Sequence, residues 1–90
     1  MIPRIKDVKV KEDYVLLVFF DNNTVKEYDM KPLLKDKRFE LLKDKIIFSM
    51  VQVDAGGYGI SWNDDIDLSE HEIWINGSIV NWIRGVFNQE

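Results

Sequence analysis

Val53-Asp54-Ala55-Gly56-Gly57-Tyr58-Gly59-Ile60-Ser61-Trp62-Asn63-Asp64-Asp65-Ile66-Asp67-Leu68 is the stretch whose reading decides the fold. It holds three of the five glycines, one of the three tryptophans and four acidic residues. Glycine reaches positive φ at little cost, so residues 55–59 read as a tight reversal. Met50-Val51-Gln52-Val53 leads into it as a strand. Tyr58 to Trp62 leads out as its partner, and period-two alternation sets Tyr58, Ile60 and Trp62 on one face. Asn63-Asp64-Asp65 is a turn, and Ile66 and Leu68 flank Asp67 in a short extended piece. At the Trp62-Asn63-Asp64-Asp65 corner an aromatic and two carboxylates are expected to reach solvent together.

The chain leaves this stretch through a full helix-start signal. Ser69 is an N-cap, and Glu72 three residues on completes a capping box. Leu68 and Ile73 form a hydrophobic staple, and Glu70 and Glu72 suit the positive helix start. The helix is expected to end at Asn76-Gly77. Ser78 then caps a second run, in which Ile79, Val80, Trp82, Ile83, Val86 and Phe87 recur at helical spacing. That run reads as a C-terminal amphipathic helix, lying either on the sheet or against a partner.

Upstream, Ile5 to Val10 alternates apolar and charged residues as an edge strand does. Glu12-Asp13 turns the chain. Tyr14 to Phe20 is apolar on both faces, the pattern of a central strand. Asp21-Asn22-Asn23 is a hairpin turn, and Thr24 to Asp29 returns half-exposed. Pro32 starts a helical turn, and Phe39 and Leu42 mark another. The fold class is therefore α+β. The expected architecture is a small curved antiparallel sheet of about five strands with short helices.

Ninety residues, 46% of them hydrophobic, suffice for one domain with a core. The reading is one domain over 1–90, with a core at 2–77 and an extra amphipathic segment at 78–90. There are no cysteines, so thiolate and disulfide chemistry is excluded. The N-terminus lacks the apolar run of a signal peptide, and no run is long enough to cross a bilayer. A cytoplasmic location is the expectation, with no membrane partner. Residues 1–45 carry eleven basic and nine acidic side chains, and residues 46–90 carry one and seven. The acidic second half argues against nucleic-acid binding, and the basic residues of the first half are interleaved with acids.

Catalytic and cofactor motifs fail on their spacing. Gly57-x-Gly59 lacks the third glycine of a dinucleotide fingerprint, where Trp62 stands instead. Gly59-Ile60-Ser61-Trp62-Asn63 lacks the closing glycine of a nucleophile elbow. Asn63-x-Asp65-x-Asp67 copies half a calcium loop, then places Leu68 and Trp74 where glycine and glutamate belong. The expectation is no enzyme, no catalytic residue, no cofactor and no dedicated metal site.

Arg4 to Val10, the hairpin Tyr14 to Asp29, Lys31-Pro32-Leu33-Leu34, Phe39-x-x-Leu42-Lys43-Asp44 and above all Gly59 to Ser69 resemble a family of small bacterial proteins. That family is domain of unknown function 2442, and the resemblance spans residues 2–77. It implies a small α+β fold with a curved antiparallel sheet. It also implies a gene neighbourhood that looks toxin–antitoxin-like. Some members carry a helix-turn-helix domain, for which the 78–90 tail is too short. The resulting expectation is a non-enzymatic protein-interaction module, antitoxin-like, binding a small cognate protein. Its candidate binding residues are Tyr58, Trp62, Asn63, Asp64 and Asp65. The alternatives are weak divalent-metal or small-ligand binding at Asp64, Asp65 and Asp67, and a homodimer formed through Ile79, Trp82, Ile83 and Phe87.

Overall fold

In the computed structural model, residues 2–80 are described. Among the described residues there are seven strands and several short helices. Strands β1 (Ile5–Lys11), β2 (Val15–Phe20) and β3 (Val25–Asp29) come first. A connector follows, made of 3-10 turns at Lys31–Lys35 and Lys37–Lys43 and helix α1 (Lys45–Phe48). Strands β4 (Gln52–Val53), β5 (Gly59–Asn63) and β6 (Ile66–Ser69) lead into helix α2 (Glu70–Asn76) and strand β7 (Ser78–Ile79).

The α+β class is as expected, but the strands form two antiparallel sheets rather than one. The first has the order β1-β2-β3-β7 and the second β4-β5-β6. The second sheet stands apart because β4 is only two residues long and pairs with β5 alone. β1 lies beside β4 and brings the sheets together.

β2 is central, between β1 and β3. Its Leu16, Val18 and Phe20 are fully buried, while Val15, Leu17 and Phe19 on the other face are half-buried. Leu16, Val18 and Phe20 join Tyr28, Met30, Leu42, Phe48, Ile60, Trp62 and Ile73 in one core cluster.

The hairpin turn after Phe20 forms as its composition dictates. Asn23 takes φ +69, and the Asn22 side chain accepts the Thr24 amide at 3.0 Å. The turn before β2 is longer than Glu12-Asp13. Tyr14 belongs to it with φ +63, so β2 starts at Val15.

The glycine reversal also forms, with Gly56 at φ +80 and Gly57 at φ +76. Tyr58 closes it in a helical conformation, φ −82 and ψ −8, and so does not continue the β5 alternation. It is 59% exposed while Ile60 and Trp62 are buried.

Ser69 caps α2, its hydroxyl accepting the Glu72 amide at 3.0 Å. The return half of the capping box is absent, because Glu72 turns its carboxylate to the Tyr28 hydroxyl and the Asn76 side-chain NH2, both at 2.8 Å. Ser69 itself still pairs with Gly59 across the sheet. Leu68 and Ile73 are both buried in the core, as the staple predicts. α2 stops at Asn76 as expected, with the Gly77 amide on the Ile73 carbonyl. Gly77 has an ordinary φ of −77, so close packing is what calls for glycine there. A Cβ would sit 2.6 Å from that carbonyl and 3.1 Å from the Lys26 Cβ.

No helix begins at Ser78. Ser78 and Ile79 pair with Glu27 and Lys26 as an outer strand, and the Val80 amide bonds the Val25 carbonyl. With Gly77 drawn against β3, the chain emerges extended beside it. Trp82, Ile83 and Phe87 lie outside the described residues.

Candidate functional site

The corner after β5 separates its residues rather than presenting them together. Trp62 points inward and is 8% exposed. Its indole N–H donates to the Phe48 carbonyl at 2.9 Å, and its ring stacks on Phe48. The expected solvent-facing aromatic is thus a core residue. The alternation that placed it beside Ile60 is the reason, since Ile60 also faces the core. Asn63 is exposed and shapes the turn, its side-chain oxygen accepting the amides of Asp65 at 2.8 Å and Ile66 at 2.9 Å. Asp64, Asp65 and Asp67 are exposed. Among the described residues no three His, Cys, Asp or Glu side chains gather as a metal site requires.

Tyr58, the remaining candidate of that set, enters a different group. The Arg4 guanidinium lies 4.0 Å from the Tyr58 ring centroid and bonds both Glu70 carboxylate oxygens, at 2.9 and 3.0 Å. The Glu70 amide in turn bonds the Tyr58 carbonyl. Three elements meet here: the lead into β1, the glycine reversal and the start of α2. Beneath them, the Ser61 hydroxyl donates to Asp54 at 2.6 Å, fixing the base of the reversal. Ser61 is thereby a structural donor. The cluster offers a cation, a phenol ring and a carboxylate, all already committed to one another. It joins the chain's beginning to α2 more than it receives a ligand.

A second region, which the sequence reading did not single out, lies where the β1–β2 turn meets α1. A cavity of ≈ 490 Å³ is lined there by residues 10–14 and by Lys45 and Phe48. Left-handed backbone is uncommon for an aromatic residue and needs several anchors. Tyr14 has three: its carbonyl accepts the Met30 amide, its hydroxyl donates to the Lys43 carbonyl, and its ring meets Phe48 edge-on at 5.1 Å. Lys31 secures the same turn through the Asp13 carbonyl at 2.8 Å. Lys31 also holds the Asp29 carboxyl below its usual range, chiefly through its own amide. The opposite direction holds at Tyr28, where burial first and then Glu72 push the phenol well above its usual range.

The connector leaves large apolar side chains in solvent. Leu41 is 57% exposed, Ile46 74% and Met50 58%. The signal was in the sequence: if Phe39 and Leu42 share one helical face, Leu41 must leave it. Ile79, the one self-association candidate that is described, is 70% exposed on β7. Among the described residues no helix is long and apolar enough to cross a membrane.

The family model for a protein of unknown function (DUF2442) matches residues 5–77, which covers both sheets up to the end of α2. No curated protein and no solved structure matches the chain.

Proposed function

This chain belongs to the DUF2442 family of proteins of unknown function, and from that premise we propose that it is a cytoplasmic, non-enzymatic protein-interaction module, antitoxin-like, that binds a small cognate protein. The supporting observation is the exposed apolar surface on the connector, where Leu41, Ile46 and Met50 follow one another within ten residues. Exposed apolar side chains that recur along one segment favour a surface that meets another molecule. The uneven charge adds a means of steering a partner. The test is copurification with the product of the adjacent gene. A stable complex with Kd at or below about 1 μM is expected; no complex at micromolar concentration would sink the antitoxin-like reading.

A homodimer is the second reading. It is favoured by Ile79, exposed on the outer strand of the first sheet, an edge at which a second copy could pair. Light scattering that reports a clean monomer at high concentration removes it.

A further inference from the structure

We propose that Asn76 is a modification site, at which the chain converts its own side-chain amide to a carboxylate through attack by the Gly77 nitrogen, and that the last turn of α2 gates the step. The proposal stands apart from the interaction reading and needs no partner.

Of the six asparagines, Asn76 alone is followed by glycine. An asparagine so placed is labile, because the next residue has no β-carbon to shield its main-chain nitrogen from the side-chain amide. Once the Gly77 N–H has given its proton to solvent base, the nitrogen attacks the Asn76 Cγ. A five-membered imide ring closes and the Cγ–Nδ2 bond breaks. Nδ2 leaves as ammonia, taking up from solvent the proton that Gly77 gave. Water then opens the ring at either carbonyl. One opening gives aspartate, and the other gives isoaspartate, with the backbone rerouted through Cβ. Nothing is oxidised or reduced, and water is the only co-reactant.

The fold both keeps this pair and holds it unreactive. Gly77 cannot carry a side chain, since a Cβ would sit 2.6 Å from the Ile73 carbonyl oxygen and 3.1 Å from the Lys26 Cβ. Its N–H donates to the Ile73 carbonyl at 2.8 Å, so the nucleophile is committed. The Asn76 Nδ2 donates to the Glu72 Oε2 at 2.8 Å, which draws the electrophile back along the helix. Both bonds lie in the last turn of a seven-residue helix, and Asn76 itself is exposed. Helix ends open locally far more often than a whole chain unfolds, and the reaction follows the open fraction.

The product does not fit back. The new carboxylate faces the Glu72 carboxylate that had accepted the lost NH2, and it lies at the negative end of α2. Isoaspartate also adds a backbone carbon between α2 and β7. There Ser78 and Ile79 pair with Glu27 and Lys26, and the Val80 amide reaches the Val25 carbonyl. The modified chain therefore releases β7 from β3, a one-way change at the outer strand on which the dimer reading depends.

The test incubates the whole 90-residue chain at mildly alkaline pH, folded and in urea. Peptide mass spectrometry follows each asparagine, and chromatography separates aspartyl from isoaspartyl peptides. In urea Asn76 should convert faster than the other five. In the folded chain it should convert at least about tenfold more slowly than in urea. Glu72→Ala frees the Asn76 side chain and should speed the folded reaction by about threefold or more, with no change in urea. Tyr28→Phe removes the other Glu72 contact and should leave the folded rate at the parent value, which separates the gate from general destabilisation. Circular dichroism checks that both variants fold, and the parent's folded-against-urea comparison decides without them. In the purified isoaspartyl chain the Gly77 and Val80 amides should exchange with deuterium at least about tenfold faster than in the parent.

Equal rates folded and in urea overturn the proposal, because α2 then gates nothing. So does another asparagine converting first in urea, or a folded Glu72→Ala variant that reacts no faster than Tyr28→Phe. Parent-like exchange of the Val80 amide in the isoaspartyl chain overturns the release of β7.

Discussion

The indole N–H of Trp62 donates to the main-chain carbonyl of Phe48 at 2.9 Å, and the two rings stack with centroids 6.0 Å apart. The carbonyl belongs to the last residue of α1, where a helix leaves its acceptors without internal partners. One side chain of the second sheet therefore completes the connector's helix and packs on it. Trp62→Phe keeps an aromatic ring but strands the buried carbonyl, and should cost about 1–3 kcal/mol. Trp62→Ala removes the packing too and should cost about 3–5 kcal/mol. Urea unfolding followed by far-UV circular dichroism checks both. A Trp62→Phe variant as stable as the parent would show that the hydrogen bond contributes nothing.

Gly56 and Gly57 share a left-handed backbone, yet their replacement should differ in cost. A Cβ on Gly57 would collide with the Ile5 carbonyl oxygen, and that oxygen belongs to β1. A Cβ on Gly56 would meet the Tyr58 ring at 2.6 Å, and that exposed side chain can rotate away. Gly56→Ala should cost about 1–2 kcal/mol for the strain of φ, plus about 0.5–1 kcal/mol for the Arg4–Tyr58 contact that the turned ring gives up. Gly57→Ala should cost clearly more, because β1 must also move. Equal midpoints in denaturant would contradict this ordering.

The Ser69 cap and the Glu72 carboxylate act separately, so their removal should add. Ser69→Ala loses the bond to the Glu72 amide and should cost about 1 kcal/mol, with Ser69→Gly costing only a few tenths. Glu72→Gln leaves that amide capped and changes only the contacts with Tyr28 and Asn76. The Ser69→Ala/Glu72→Gln double variant should therefore fall near the sum of the singles. A coupling well above about 0.5 kcal/mol would restore the reciprocal capping box that this geometry lacks.

Local signals were the most legible in the sequence. Asn22-Asn23, Gly56-Gly57 and Ser69 each specify a backbone conformation within two or three residues, and each took the structure expected. The apolar run of β2 announced a central strand for the same reason. What escaped depended on distant partners. The return half of the capping box lost to Tyr28, 44 residues away, and Arg4 found Glu70 across 66 residues. Tyr14 holds a positive φ only because Met30, Lys43 and Phe48 anchor it from outside the turn. Trp62 illustrates the limit at the candidate site. Alternation correctly grouped it with Ile60, but a period of two cannot say which face is wet. Ser78 and Ile79 fit a helical pattern in sequence and became strand because Gly77 delivers them against β3.

Tyr28 gives the last prediction, a dependence of stability on alkaline pH. Its side chain is 6% exposed, and its hydroxyl donates to Glu72 at 2.8 Å. Burial, and then the neighbouring carboxylate, push its pKa well above the usual tyrosine value. Ionisation in the folded state would place a phenolate beside Glu72 in the core edge. The proton is therefore held more tightly in the folded chain than in the unfolded one. The stability this provides is fully present below the unfolded value of about 10, and is lost as pH rises from there toward the folded value. The loss can reach about 1.4 kcal/mol per pH unit. Tyr28→Phe lacks the titrating group and, near neutral pH, should be less stable by about 1 kcal/mol for the missing hydrogen bond. Above a pH of about 10 the parent should lose stability faster, so the gap should narrow and then reverse. Urea midpoints for both proteins, measured in steps across this range, decide the matter. Parallel curves would mean that Tyr28 does not couple folding to pH.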